Sequence, residues 1–135
     1  MELSKSLVIA ASGMRAQGAR LRVIAENLAN AESTGQRRGE EPYRRKIVTF
    51  ENALDRELGF KTVNVADVNT DRSPFNRRYE PGHPAADEDG YVLTSNVNGL
   101  IEMADMREAQ RSYEANLKVI EASRGMLQQT IDILR

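Results

Sequence analysis

Residues Asn98 to Arg135 carry an apolar repeat that leaves this chain few ways to fold. Met103, Met106, Gln110, Tyr113, Leu117, Ile120, Arg124, Leu127, Ile131 and Leu134 succeed one another in steps of three and four without a slip. That spacing keeps one side of a long helix against a partner helix. The segment holds no proline, and its interior glycine, Gly125, costs a helix only about 1 kcal/mol relative to alanine. A helix of some 35 residues is roughly 50 Å long, more than a compact domain of this size buries. This end of the chain therefore calls for a partner.

The N-terminal residues supply a matching seam. Leu3, Leu7, Ala10, Met14, Gln17, Leu21, Ile24, Leu28 and Ala31 repeat the same alternation. The pattern predicts a mainly α fold, in which long N- and C-terminal helices form an antiparallel coiled coil around a small, partly β insertion. The divisions fall at 1–35, 36–96 and 97–135. An ordinary two-helix core packed inside one globule is the competing reading. A second apolar set lies off each seam, with Ile9, Ala16 and Val23 on the first helix and Val119, Met126 and Ile133 on the second. On a helical wheel these sit roughly 130° from the seam, so one partner cannot cover both stripes. Subunit packing is therefore assigned to Leu3, Leu7, Met14, Leu21, Ile24, Leu28, Ile9 and Val23 on the N-terminal helix. On the C-terminal helix it is assigned to Met103, Met106, Tyr113, Leu117, Ile120, Leu127, Ile131, Leu134, Val119, Met126 and Ile133.

Composition narrows the partners. With 19 Lys and Arg against 20 Asp and Glu, the net charge of −1 gives no general attraction to nucleic acid or an anionic membrane. No cysteine is present, which excludes disulfides and thiolate metal sites. No apolar run approaches the ~20 residues that span a bilayer. Leu7 to Ala11 is too short an apolar run for a secretory signal, whose core needs roughly 7–15 residues. The expectation is a cytoplasmic protein, or one exported without a cleaved signal peptide.

Along the chain, Ser4 and Ser6 are candidate N-caps of the first helix. Asn30 is suited to a left-handed helix end with Gly35 close behind, and Gly13 and Gly18 would let another helix approach closely. Gln36 to Pro42 is a polar loop, and Tyr43 to Phe50 reads as a strand with a basic start. Arg37, Arg38, Arg44, Arg45 and Lys46 lack interleaved aromatic platforms and have Glu40, Glu41 and Glu51 beside them. They read as a solvated face, or one meeting an acidic neighbouring subunit, and not as a nucleic-acid patch. Phe50, Leu54 and Leu58 fall four apart and predict a short helix over 51–58, stopped by Gly59. Lys61 to Val68 alternates as a strand, Asn69 to Pro74 is turn-rich, Tyr79 to Pro84 is a fixed loop, and Tyr91 to Leu93 is a last short strand.

Catalytic chemistry has no foothold. His83 is the only histidine, set between Gly82 and Pro84, and reads as a structural loop residue. Asp87-Glu88-Asp89-Gly90 fails as a calcium loop, because Ala85 and Asn96 fall where its first and last ligands belong. No nucleophile elbow, phosphate loop, zinc-binding HExxH or dinucleotide fingerprint occurs. Neither a catalytic residue, a cofactor site nor a metal site is predicted.

One stretch is specific enough to identify a family. Asn27-Leu28-Ala29-Asn30-Ala31-Glu32-Ser33-Thr34-Gly35, preceded by Ala11-Ser12-Gly13-Met14-Arg15-Ala16-Gln17, resembles the N-terminal signature of bacterial flagellar rod and hook proteins. Asn27, Asn30 and Gly35 are its motif residues. Pro42-Tyr43-Arg44-Arg45-Lys46, Tyr79-Glu80-Pro81-Gly82-His83-Pro84 and the run from Glu102 to Leu117 resemble the proximal-rod branch of that family. Gln36 stands where many rod and hook members carry an aromatic, and the Gln36–Pro42 loop is individual. The resemblance implies a non-catalytic subunit of the flagellar basal body, polymerising through its terminal helices into the hollow, torque-transmitting rod that crosses the periplasm and walls the export channel. Its implied partners are other copies of itself, other rod proteins, the adaptor to the MS ring, and the type III export apparatus during secretion. Gln17, Gln110 and Arg124 would then be polar specifiers or pore-facing groups on the seams, unless they are merely exposed. The alternative class is a cytoplasmic helical adaptor or chaperone that binds a partner helix. A peptidoglycan-cutting enzyme would need a critical carboxylate, and the sequence nominates none.

Overall fold

The structure, a computed structural model, describes residues 2–135. In chain order it has α1 (Glu2–Ala29), β1 (Lys46–Asp55), β2 (Phe60–Thr70), β3 (Asn76–Tyr79), β4 (Tyr91–Thr94) and α2 (Gly99–Ile133). The strands form two antiparallel pairs, β1 with β2 and β3 with β4. The fold is thus mixed α/β, which corrects the expected mainly α antiparallel coiled coil. The chain divides into two compact units, each built from parts of both helices and part of the middle segment.

One unit holds α1 up to Leu21, the β1–β2 hairpin from Val48 to Asp67, and α2 from Arg107 onward. Its buried helix positions are small: Ala10, Ser12 and Ala16 on α1, and Ala109 and Ser123 on α2. A methyl group at Gly13 would lie 2.8 Å from Asn116 Nδ2, so the helices approach closely there, whereas Gly18 has open space beside it. The hairpin joins this unit through Val63 N, which donates to Ser12 Oγ at 3.2 Å. Ser12 Oγ in turn donates to Ile9 O at 2.7 Å. A leucine-type coiled coil needs large side chains interlocking along the seam. Here small residues and a β-hairpin take that place, and Leu117, Ile131 and Leu134 stay exposed.

The other unit comprises Arg22–Ile47 and Val68–Met106. Its centre is Ile24, Val92, Val97 and the buried polar residues Asn27, Thr94, Ser95 and Glu102. β3 and β4 pair Asn76 with Thr94 through Tyr79 with Tyr91. The other edge of β4 receives the segment after α1, by a Thr34–Thr94 bridge and by Ser95 N donating to Ser33 O.

Three local expectations change. The helix expected over 51–58 is the end of β1 followed by a turn. There Asp55 Oδ1 accepts from Glu57 N and Leu58 N, and Gly59 adopts φ +72°. A four-residue apolar spacing also places Phe50 and Leu54 on one strand face, so it does not distinguish helix from strand. Ser4 and Ser6 lie inside α1 and not before it. Asn30 ends α1 without a left-handed backbone, which no described non-glycine residue adopts; its Nδ2 instead donates to Glu26 O at 2.8 Å. At the start of α2, Asn98 Oδ1 caps the helix by accepting from Leu100 N and Ile101 N.

Candidate functional site

The signature residue Asn27 sits on the last turn of α1 with 1% of its surface exposed, and its amide is fully engaged. Nδ2 donates to Lys46 O at 2.9 Å and to Glu102 Oε2 at 3.1 Å. Oδ1 accepts from Lys46 N at 2.9 Å and from Tyr43 Oη at 2.8 Å. One side chain thus bonds both backbone groups of Lys46, as a neighbouring strand would, while tying them to α2. Asparagine suits this position because its amide carries two donors and an acceptor with two lone pairs.

Glu102, on the first turns of α2, is 1% exposed and binds Arg45 Nε through its second oxygen. The rest of the Arg45 guanidinium reaches Asp105 Oδ2 at 3.4 Å and Asp71 Oδ2 at 3.6 Å. The Arg45 backbone is held as well, with N donating to Asn96 Oδ1 at 2.8 Å and O accepting from Asp71 N at 2.7 Å. Burial alone would lower the Arg45 pKa, but the hydrogen bond and charge of Glu102, aided by Asp105 and Asp71, hold it above its ordinary value. Asp71 is held below the usual carboxylate range, first by the hydroxyl and backbone N–H of Ser73 and then by Arg45. Lys46 Nζ pairs with Glu26 at 2.5 Å. Of the basic residues expected on a solvated face, Arg37 and Arg38 are exposed, whereas Arg45 and Lys46 find acidic partners in their own chain.

This arrangement braces the chain. Its carboxylates are committed to Arg45, and among the described residues no group of His, Asp or Glu is placed to hold a metal ion. No described helix is long and apolar enough to cross a membrane. The other signature residues also act on the backbone: Asn30 closes α1, and Gly35 lies so close to the Glu40 carbonyl that no Cβ fits.

The residues assigned to packing separate into two groups. On α1, Ile24 is buried, Leu3, Leu7, Met14, Leu21, Val23 and Leu28 are half-buried, and Ile9 is exposed. On α2, Met106, Tyr113, Ile120 and Leu127 are half-buried, while Met103, Leu117, Val119, Met126, Ile131, Ile133 and Leu134 are exposed. Exposure reaches 83% at Ile133 and 81% at Leu134. The sequence reading had Ala10 on the first seam and Ala16 on the second stripe, but missed the Tyr43, Arg45 and Glu102 bracing and the buried small residues Ser12, Ala109 and Ser123. The signal available for the first was the Tyr43–Lys46 run itself, whose charges needed buried partners once it was placed at a strand start.

Comparison with known proteins gives the chain a family. Residues 7–35 match the family described as flagella basal body rod protein. Residues 88–133 match the C-terminal family of the flagellar basal body rod FlgEFG proteins. The flagellar basal-body rod protein FlgC of Agrobacterium fabrum is 53% identical over 133 residues, covering 98% of this chain and 96% of its own. The FlgC proteins of Escherichia coli O157:H7 and Borreliella burgdorferi are 40% and 37% identical, covering 98% and 100% of this chain and 98% and 99% of their own. The chain belongs to the FlgC family of flagellar basal-body rod proteins, structural subunits of the rod and not enzymes.

Proposed function

We propose that this rod subunit polymerises through its terminal helices, with residues 1–35 and 97–135 in the wall of a hollow shaft and residues 36–96 facing outward. The shaft is the proximal rod, which transmits torque and walls the export channel across the periplasm. Its neighbours are further copies, other rod proteins and the adaptor to the MS ring. The subunit reaches them through the type III export apparatus, without cleavage of a signal.

The observation that carries this reading is the apolar surface of α2 beyond Arg107. Leu117, Val119, Met126, Ile131, Ile133 and Leu134 are all exposed in the single chain, on two sides of one helix. Apolar surface on that scale marks a contact face. Gln17 Oε1 supports the same reading, being buried with no hydrogen-bond donor among the described residues. A donor from an adjoining subunit would complete it, whereas Gln110 and Arg124 are exposed and fit either a pore or plain solvent.

The test is Leu117→Asp. The isolated chain should change stability by no more than about 1 kcal/mol, as expected at an exposed position. Export should remain measurable, while rod incorporation and motility are lost. Normal swimming of cells carrying this variant would sink the assignment.

A further inference from the structure

We infer that His83 is a protonation-sensitive latch that closes the loop between β3 and β4. It is the only histidine in a chain without cysteine, and histidine is the side-chain type that serves as a proton switch near physiological pH. Ala85 N donates to His83 Nδ1 at 3.0 Å, which requires a lone pair on that nitrogen. The latched ring is therefore neutral, with its proton on Nε2, and Nε2 donates to Thr34 Oγ1 at 3.2 Å. Thr34 is the residue that bridges to Thr94 of β4, so the ring ties the loop to the segment following α1. His83 N also donates to Glu80 O, and Ala86 N to His83 O, both at 3.0 Å.

A proton arriving at Nδ1 turns an acceptor into a donor. Two N–H groups then face each other across 3.0 Å, and the Ala85 bond must break. The Thr34 bond survives, because Nε2 carries its hydrogen in both states. Opening is thus confined to the Ala85 side, with Thr34 as the pivot. Most charged side chains on the segments that carry or touch the ring are already engaged. Glu32 and Glu80 bind Arg78, Asp87 binds Arg77, and Glu88 pairs with Arg38. Asp89 shares the loop and lies in the turn built on Asp87 Oδ1.

The latch holds an exposed surface in shape. Arg77, Tyr79, Tyr91 and Leu93 share one face of the β3–β4 pair, with the tyrosine rings edge to face at 5.3 Å and Arg77 stacked 4.6 Å over Tyr91. Tyr79 is 64% exposed. Ala85 lines a cavity of about 300 Å³ together with Arg77, Asp87 and Tyr91, so release of Ala85 reshapes the floor beside this face. The latch is closed while Nδ1 keeps its lone pair and open once a proton occupies it.

Nuclear magnetic resonance on the ¹⁵N-labelled full chain tests this, following the His83 ring nitrogens and the Ala85 amide from about pH 8 to about pH 5. The expected result is the Nε2–H tautomer at the upper end. The Ala85 amide should move with the same midpoint as the ring, and its exchange protection should fall about fivefold once intrinsic exchange is corrected. His83→Asn keeps an acceptor where Nδ1 lies but does not titrate, so its Ala85 amide should not respond. Thr34→Val, which leaves Nδ1 and Ala85 intact, should retain the response. A ring that titrates while Ala85 stays fixed overturns the inference. So does a response that persists in His83→Asn or disappears in Thr34→Val.

Discussion

Around Asn27 the chain turns its polar groups inward and satisfies them itself; along α2 beyond Arg107 it turns leucine, isoleucine and methionine outward and leaves them in water. Glu102, fully buried, has Arg45 and Asn27 as partners, and Arg45 has two further carboxylates. Leu134, at the other end of the same helical segment, is 81% exposed. Buried hydrogen-bonded groups fix one geometry, because each misplaced partner leaves a desolvated charge or amide behind. Exposed apolar groups fix nothing until something covers them. The motif-bearing region is thus specified within one chain, and on the proposed reading the helix ends are specified by what they meet. This contrast can be broken by substitutions on the polar side that prove harmless to the isolated chain.

The largest effect should come from Asn27→Ala. It strips partners from Lys46 N, Lys46 O, Tyr43 Oη and one oxygen of Glu102 at once. With about 1–3 kcal/mol for each buried group left unpaired, and water rescuing some of them, the loss should be about 3 kcal/mol or more. Denaturant unfolding of the isolated chain measures it. A loss no larger than that of Leu117→Asp would erase the distinction between the two regions.

Gly35→Ala should follow at about 2 kcal/mol, within the usual cost of forcing an extra carbon into a filled space. The obstacle is the Glu40 carbonyl, which is backbone and cannot swing aside as a side chain does. The loop cannot easily shift either. Glu40 Oε2 accepts from Gln36 N and Arg37 N, and Gly39 makes the return at φ +83°. A thermal melt unchanged from the parent chain would mean that this loop is loose and the polar region less tightly specified than its bonds indicate.

These two positions mark what sequence could and could not reveal. The two long helices were legible because three-four spacing is a property of a helix by itself. The side of each helix that its own chain covers was not, because Ser12, Ala109 and Ser123 fall outside both apolar stripes yet are buried. Asn27 and Gly35 were legible only as a signature. The bond from Arg45 to Glu102 spans 57 residues, and nothing local in either stretch announces it. The β1–β2 hairpin was half-read for a related reason: Phe50, Leu54 and Leu58 fit either period, and the choice was made by pairing across the turn. The mixed α/β fold followed from such long-range contacts, and a helix pattern alone pointed instead to a coiled coil.

Tyr43 offers the finest test of the polar side. Its hydroxyl pKa is pushed up to about 12, first by burial and then by the charges of Glu26 and Glu102. The ordinary value is about 10, so the fold favours the neutral phenol. A folded-state pKa above the unfolded one means that this contribution is complete below about pH 10 and is lost as pH rises through about 12. Tyr43→Phe should cost about 1 kcal/mol at neutral pH, one hydrogen bond, because Asn27 Oδ1 keeps Lys46 N as a donor. It should also remove the ionisation near pH 12 from a spectrophotometric titration of the folded chain. If the parent chain shows no ionisation near pH 12 that the variant lacks, the phenol is not sealed against Asn27. The polar region would then be open to water where its bonds require it closed.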